Sequence, residues 1–555
     1  MFSVIEKILF PHEKRLSLAA AGVLLLASFC LFLPGLFSLP PIDRDEARVA
    51  LASRQIVDTG NWADTGFPDT RTKPAGIYWL QAGTVKLVQA LSTEHASEII
   101  GLYRLPSLLA TLLSVLLTGV IGARLFGARA GLIAAVLFSA TLLANVQARL
   151  AIADAALLPC VLTCVMVLAK TYSRQNSART LKRKDFLLFW LALGLGLVLK
   201  GPAILVVVIG LPLAMRVMGE PLGWLRALRP VLGIPLTLLV MLPWILHAAL
   251  PLHDIPAHDL LVRLWQEKKS HWAPPGVHTL LSWGALWPAS LVIWLALPWL
   301  WRMRAEPTLR FLIAWALPVY LLFEILPVKL PQDVLPAAPA LALAAAAWLS
   351  CREHEGRPHP LWQAVVFILW TALSLVLCLV PAVMPVFVES QIFFFPIFFG
   401  GLALGLALAT IQLLRRDQRR LVILPLGLSG AALIFALFGF LFIDMPSLFP
   451  SARLAEKLAE PPGDCSTTPL FAAGFAEPSL VFLTPPDTKF GRGDDAALAL
   501  TADPCLTVAL DEKQIPSFKE TLERVGGHVQ KFAEVKGFNY ARGAPVVLTL
   551  YRSGP

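Results

Sequence analysis

Charged residues are scarce in this sequence. Lys, Arg, Asp and Glu make up 15% of its 555 residues, whereas they make up about 25% of an ordinary soluble protein. Apolar residues make up 57% and lie in long uninterrupted runs, and the mean hydropathy is +0.68. This composition excludes a soluble enzyme, and the lack of repeats and polar tracts excludes fibrous and disordered proteins. The sequence is that of a polytopic membrane protein.

Thirteen apolar runs of about 17 to 25 residues are long enough to span a bilayer. They begin near Leu16, Tyr103, Ala130, Ala151, Phe186, Ala203, Val231, Val277, Leu309, Val334, Leu361, Ile392 and Leu421. Lys and Arg concentrate at the amino end and in six short loops on one side of these spans, and the positive-inside rule places that side in the cytoplasm. Thirteen spans then place the carboxyl tail outside. The first run lacks a cleavage motif and is expected to remain as a span.

The expected architecture is mainly α, with about 13 transmembrane helices in residues 1–443 and a small periplasmic α/β domain in residues 444–555. The first external loop, residues 38–102, is expected to contain interfacial helices, because its aromatic, amphipathic part is too interrupted to span. In the tail, we predict a helix at 516–525 and short strands at 470–473, 480–483, 506–510 and 546–551.

The tail also contains Cys465 and Cys505, the only two cysteines outside the spans or their ends. An oxidising compartment favours a disulfide between them.

Ionisable residues at the level of the membrane indicate where the functional site lies. Placing a charged side chain there costs several kcal/mol unless the charge is paired or serves a function. A helix that begins near Asp43, after the double proline, would place Asp45 and Arg48 on one face. The alternative for this segment is an ordinary cluster of charges on a surface helix. The alternative for the isolated lysines is that their side chains only extend to the membrane surface. We expect one outer cavity with two carboxylates, Asp45 and Asp154, ringed by Arg48, Lys73, Lys200, His271 and Lys329. Such a cavity suits a phosphate-bearing lipid and acid/base or electrostatic catalysis.

In their order along alternate loops, these residues resemble the GT-C membrane glycosyltransferases, in the branch of the protein O-mannosyltransferases and the bacterial lipid A aminoarabinose transferases (ArnT type). The matching segments are Asp45-Glu46-Ala47-Arg48, Lys73-Pro74, Arg104-Leu105-Pro106, Asp154, Lys200-Gly201, His271 to Pro274, Lys329 to Pro336, and Glu477 to Leu483 in the tail. Two positions depart from the ArnT type: Asp333 replaces a tyrosine and Thr72 replaces a glutamate. The sugar therefore stays open between aminoarabinose, galacturonic acid and a hexose.

The resemblance implies transfer of a sugar from a polyprenyl-phosphate carrier of the undecaprenyl-phosphate type to lipid A or lipopolysaccharide on the periplasmic side. It implies Asp45, Arg48 and Lys73 as catalytic residues. Carrier-phosphate or substrate contacts are assigned to Lys200, Asp154, His271, Lys329, Glu46, Arg104, Tyr78 and Asp333. No cofactor is implied, and a divalent metal is left open.

Two other functions stay open at this point. One is a protein O-glycosyltransferase, and the other is a transporter of lipid-linked sugars, although we see no inverted repeats or interrupted midplane spans of the kind transporters use. No Gly-rich nucleotide motif occurs. The expected setting is the lipid bilayer of the bacterial inner membrane, with a monomeric chain, a cytoplasmic amino terminus and no nucleic-acid partner.

Overall fold

A computed structural model of the chain describes residues 15–43, 45–62, 73–91, 95–174, 181–249, 273–327, 329–351, 358–459, 469–540 and 542–554. Within these residues the fold is mainly helical, with a five-stranded sheet near the carboxyl end.

The first eight helices cover residues 18–200. They are α1 (Leu18–Phe32), α2 (Asp45–Thr59), α3 (Gly76–Leu91), α4 (Ile100–Phe126), α5 (Ala128–Ala140), α6 (Leu142–Ala148), α7 (Ala153–Tyr172) and α8 (Arg183–Lys200). The bundle continues through α9 (Leu205–Val208), α10 (Gly210–Val217), α11 (Pro230–Ala249), α12 (Val277–Ala285), α13 (Ser290–Arg302), α14 (Pro307–Ile325), α15 (Ala338–Ser350), α16 (Pro360–Glu389), α17 (Phe394–Arg415) and α18 (Ile423–Ile434).

Across the described ranges, eight helices are long and apolar enough to cross a bilayer, or ten if each of two bent pairs counts as one span. The chain is therefore a multi-pass membrane protein. Most of the predicted apolar runs coincide with these helices, while α1 and α13 are apolar but shorter. The number thirteen stays a prediction.

Residues 183–217 form one continuous helical stretch that changes direction in the middle. Gly201 has a φ of +61° directly after α8, and a 3₁₀ turn follows. Lys200, at the end of α8, pairs with Asp154 at the start of α7. Tyr172, at the other end of α7, makes an edge-on ring contact with Trp224, which follows α10. Helix α8 and the α9–α10 segment therefore run in opposite directions, as two separate apolar runs predict.

Close packing of α4 on α5 depends on small residues. A Cβ atom on Gly131 would lie 2.4 Å from the carbonyl oxygen of Gly119 and 2.5 Å from the amide nitrogen of Ala123. Glycine allows this approach of two backbones, which is the usual way in which membrane helices gain contact.

The tail contains α19 (Pro450–Leu458), α20 (Pro478–Leu483), α21 (Gly493–Ala502) and α22 (Ile515–Val525), together with β1 (Leu470–Ala473), β2 (Lys489–Gly491), β3 (Thr507–Asp511), β4 (Val529–Asn539) and β5 (Ala544–Ser553). The strand order is β2-β1-β3-β5-β4, in which β1 is parallel to β2 and β3, and β5 is antiparallel to β3 and β4. Helices α21 and α22 cover one face, where Phe518 and Leu500 are buried.

This sheet confirms three of the predicted strands and the predicted helix, but one strand prediction is wrong. Residues 480–483 belong to α20, which Pro478 starts in its first turn. Cys505 is disulfide-bonded. Cys465 lies outside the described residues, so its pairing with Cys505 stays a prediction, as does a domain boundary at 443/444.

Candidate functional site

The start of α2 is fixed by a buried ion pair. The Nε and Nη2 atoms of Arg104, in the first turns of α4, donate to the two carboxylate oxygens of Glu46 at 2.7 and 2.8 Å. Glu46 also accepts from the backbone amides of Ile42 and Ala151 at 2.8 and 2.9 Å. Four donors and full burial of both side chains leave no room for a substrate contact here. Glu46 and Arg104, both expected to contact the substrate, instead position the neighbouring residues.

Arg104 also ties the end of the first span to this helix. Its two terminal nitrogens donate to the carbonyl oxygens of Leu36, Leu39 and Pro40 at 2.8 to 2.9 Å. The turn before α2 is therefore anchored at four points around one guanidinium group.

A second buried chain of hydrogen bonds joins α2, α3 and the loop before α7. The Ser53 hydroxyl donates to the Gln81 side chain at 2.7 Å, and the Gln81 amide donates to the Ala151 carbonyl at 2.9 Å. Because Glu46 accepts from the Ala151 amide, both interfacial helices are fixed to a point three residues before Asp154.

The Lys73-Pro74 step packs against the end of α8. A Cβ atom on Gly201 would lie 3.3 Å from the Pro74 ring, and one on Gly76 would lie 2.7 Å from the Val198 carbonyl oxygen. Lys73 therefore lies close to Lys200 in the fold, although 127 positions separate them in the sequence.

The three residues predicted to be catalytic are all exposed. Asp45 and Arg48 lie on the first turn of α2, next to the buried Glu46, and Lys73 precedes α3. The hydrogen bond from Ala151 to Glu46 holds α2 near the start of α7, and the Lys73-Pro74 step packs near the end of α8. That Asp45 and Arg48 share one cavity with Asp154 and Lys200 stays a prediction.

Asp154, at the start of α7, and Lys200, at the end of α8, form an ion pair. The Lys200 side chain is 33% exposed and the Asp154 side chain 12%, so the ammonium group can reach a ligand while the carboxylate holds it. Both residues line a small cavity with Asp333, Gln332 and Phe323. Asp333 thus stands beside this ion pair, where its Oδ2 accepts from the Leu330 amide at 3.0 Å.

Lys329 does not face this cavity. Its ammonium donates to the carbonyl oxygens of Phe323, Glu324 and Leu326 at 2.6 to 2.7 Å, and its side chain is 1% exposed. A cation is stabilised there because the end of α14 leaves carbonyl groups without helical partners. The expected contact between Lys329 and a substrate is therefore replaced by a capping role.

Tyr78 is also part of the packing rather than of the exposed site. It is 2% exposed in the core between α2, α3 and α4, and burial raises the pKa of its phenol to about 12. His271, the remaining predicted contact, lies outside the described residues.

The tail docks on the first external loop through α20. The Phe482 ring is buried against Tyr103 in an edge-on contact, with ring centres 5.6 Å apart. Arg54 of α2 donates to the Phe482 carbonyl at 2.9 Å. Nearby, the Ser479 amide donates to the Asp43 carboxylate at 2.9 Å. The tail therefore contacts both sides of the segment that carries Asp45, at Asp43 and at Arg54.

Over part of its length the chain is similar in sequence to a protein family and to several named transferases. A family described as dolichyl-phosphate-mannose-protein mannosyltransferase matches residues 72–247. The undecaprenyl phosphate-alpha-4-amino-4-deoxy-L-arabinose arabinosyl transferase of Pseudomonas paraeruginosa is 30% identical over 333 residues, which are 56% of this chain and 57% of that protein. A protein of the same name from Pseudomonas aeruginosa is 29% identical over 335 residues. The match thus spans little more than half the length of these relatives.

Solved structures extend the likeness over nearly the whole chain. ArnT from Cupriavidus metallidurans in the apo state superposes with a TM-score of 0.71 at 18% identity, covering 96% of this chain and 98% of that one. The chain has the GT-C fold of ArnT. The archaeal oligosaccharyltransferase AglB from Archaeoglobus fulgidus is more distant, with a TM-score of 0.51, 11% identity and coverage of 89% of this chain. The resemblance expected from the sequence motifs is confirmed.

One buried polar residue of this fold, His278, was not predicted from the sequence to belong to the site. Its ring is fully buried at the start of α12, where Nε2 lies 3.1 Å from the Leu330 carbonyl oxygen and 3.4 Å from the Asp333 carboxylate. Glu324 accepts from the backbone and hydroxyl of Thr279 next to it, at 2.9 Å. A lone histidine at the start of an apolar run gives no sign of such a network, because its partners lie more than 40 residues away.

The part of the chain that the structure describes contains no group of three or more His, Cys, Asp or Glu side chains arranged to hold a metal ion. What these residues offer is an exposed carboxylate, Asp45, on the first turn of α2, and a partly exposed ammonium group, Lys200, paired with Asp154. Such a pattern can bind a phosphate ester and accept a proton.

Proposed function

We propose that this protein is a glycosyltransferase that moves a sugar from a polyprenyl-phosphate carrier, of the undecaprenyl-phosphate type, to lipid A or lipopolysaccharide. The observation that carries this proposal is the Asp154–Lys200 ion pair at the adjoining ends of α7 and α8, with the Lys73-Pro74 step packed against the same end of α8. The ArnT-like fold and the names of the relatives support the same donor class.

Lys200, Lys73 and Arg48 would hold the carrier phosphate. In the reaction, an acceptor oxygen bonds to the anomeric carbon, the bond from that carbon to the phosphate oxygen breaks, and the electron pair leaves with the phosphate. Cations favour this step because they stabilise the charge that develops on the departing phosphate. Asp154 would keep the Lys200 ammonium in place for it.

The role of Asp45 depends on the acceptor. If the acceptor is a hydroxyl group, Asp45 takes its proton as a general base. If it is an already anionic lipid A phosphate, Asp45 orients it or balances the positive charge that develops on the sugar ring. In either case Glu46 and Arg104 act indirectly, because they fix the helix that presents Asp45.

Asp333 is the residue that bears most directly on the identity of the sugar. Asp333 lies beside Lys200, at the position where the ArnT type carries tyrosine, and a carboxylate would favour a sugar with an amino group over an acidic one. The relatives' names give aminoarabinose as the first sugar to test, with a hexose and galacturonic acid as comparisons.

We further propose an inner-membrane location with a cytoplasmic amino terminus and a periplasmic tail, acting as a monomer. The clustered cations at the ends of α4 and α7 lie opposite Asp154 and Lys200, as the positive-inside rule requires for this orientation. Reporter fusions after Lys184 and after Arg420 should read cytoplasmic, and one at Pro555 periplasmic. A cytoplasmic reading at Pro555 would contradict the orientation.

The test of the function uses purified full-length protein, a synthetic undecaprenyl-phosphate sugar and lipid A. We expect glycosylated lipid A and free undecaprenyl phosphate in equal amounts, measured by mass spectrometry. Movement of intact donor across proteoliposomes without bond cleavage would instead support a transporter and refute a transferase.

A protein acceptor is the second candidate, because the family that matches residues 72–247 is described as a protein mannosyltransferase. The same assay with a periplasmic protein extract in place of lipid A tests this candidate. Sugar found on protein and absent from lipid A would replace the first proposal with the second.

A further inference from the structure

A second cavity lies at the opposite end of the helices from Asp154 and Lys200. Its volume is about 890 Å³, and the ends of α4 and α7 and the starts of α1 and α8 form its walls. Helix α7 runs from Ala153 to Tyr172 over 20 residues, which at about 1.5 Å per residue separates the two sites by roughly 30 Å. The cavity therefore belongs to the other membrane surface and is not part of the proposed catalytic site.

The polar rim of this cavity is strongly basic. Six cationic side chains line it: Arg15, Arg124, Lys170, Arg174, Lys182 and Lys184. Among the described residues only one of them has an acidic partner, since Lys170 pairs with Asp185. Five cations are therefore left to attract an anion. Their concentration around one concave surface favours phosphate groups, which bind Lys and Arg strongly.

The deeper lining is apolar and faces the hydrocarbon region. It consists of Leu16, Leu18, Ala21, Leu116, Val120, Ile121, Leu125 and Met166. Leu18 is 93% exposed in the isolated chain, so this wall is open on the side where lipid tails would lie. Cations at the mouth and an apolar wall behind them follow the order of headgroup and acyl chain in a membrane lipid.

We propose that this cavity binds an anionic phospholipid of the inner leaflet. Its phosphate lies among Arg124, Arg174 and Lys182, and its acyl chain lies along Leu116 and Met166. Basic pockets between transmembrane helices on the cytoplasmic side are suited to such headgroups. Soluble phosphate would use the cations but not the apolar wall, and a zwitterionic lipid would use the wall but carry no net charge.

The test is a titration of the purified full-length protein in neutral detergent with phosphatidylglycerol, with binding followed by native mass spectrometry and by the rise in Tm. Phosphatidylcholine of the same chain length and inorganic phosphate are the comparison ligands. We expect saturable binding of phosphatidylglycerol, at least 10-fold tighter than that of either comparison. Equal binding of phosphatidylcholine would overturn the proposal, and so would an equal Tm rise with phosphate.

The Arg124→Gln/Arg174→Gln double variant should weaken phosphatidylglycerol binding by roughly 30-fold, since each cation near an anionic lipid contributes about 1 kcal/mol. Arg416→Gln/Arg420→Gln is the matched control, because it removes two exposed arginines outside this cavity and should leave the affinity unchanged. If the first variant does not fold, Lys182→Gln/Lys184→Gln makes the same test. Unchanged affinity in a folded cavity variant, or equal losses in cavity and control variants, would refute the site.

Discussion

Replacing Glu46 by glutamine tests how the site is held, because this change removes a charge but hardly alters the shape. Arg104 would keep its charge in a fully buried position, and breaking a buried pair from one side costs about 3–5 kcal/mol. The glutamine amide would also point a donor at Ile42 or Ala151, whose amides now donate to Glu46. We therefore expect the free energy of unfolding to fall by about 3–5 kcal/mol.

The measurement is reversible unfolding of the purified protein in mixed micelles. Asp45→Asn is the matched control: the residue is adjacent and exposed, so its change should alter the unfolding free energy by less than about 0.5 kcal/mol. A double change, Glu46→Leu with Arg104→Met, should recover only part of the loss, because the carbonyl oxygens of Leu36 and Leu39 lose their donors. If Glu46→Gln unfolds like the unchanged protein, the buried pair does not anchor α2.

Three further changes probe other parts of the fold. Lys200→Met should weaken the binding of undecaprenyl phosphate roughly 10- to 100-fold in a direct binding assay, because a charge-assisted bond contributes about 1.5–3 kcal/mol; unchanged affinity would remove this lysine from the carrier site. Phe482→Ala should destabilise the docked tail by about 3–5 kcal/mol, and thermal unfolding that matches the unchanged protein would show that this contact is dispensable. Cys505→Ser should cost the tail on the order of 4 kcal/mol if the loop to Cys465 is closed, whereas non-reducing labelling that finds Cys465 free would contradict that pairing.

The membrane fold was largely predictable from the sequence, because apolar runs and the distribution of cations follow directly from the cost of polar groups in lipid. In the tail, the secondary structure of short segments was harder to predict. Four apolar residues at 480–483 fit a strand or a helix equally well, and Pro478 at the first helical position decides for the helix. Strand β4 was missed because it is an edge strand with many polar residues, including Lys531 and Glu534.

Side-chain roles were less predictable than the positions of the spans. In the sequence, a charged residue at the end of a span looks the same whether its side chain faces a ligand or binds the backbone. Lys329 caps α14 and Arg104 holds Glu46 from 58 positions away, and only the folded chain brings those partners together. Asp154 and Lys200, by contrast, were correctly expected to share one region because both lie at the same membrane surface.

The most direct test of the central claim is the turnover of Asp45→Asn in a purified assay with undecaprenyl-phosphate sugar and acceptor. We expect turnover to fall by about two to four orders of magnitude, with normal folding and normal carrier binding. Near-normal turnover by correctly folded Asp45→Asn protein would mean that this carboxylate is not at the reacting centre, and the proposed mechanism would be wrong.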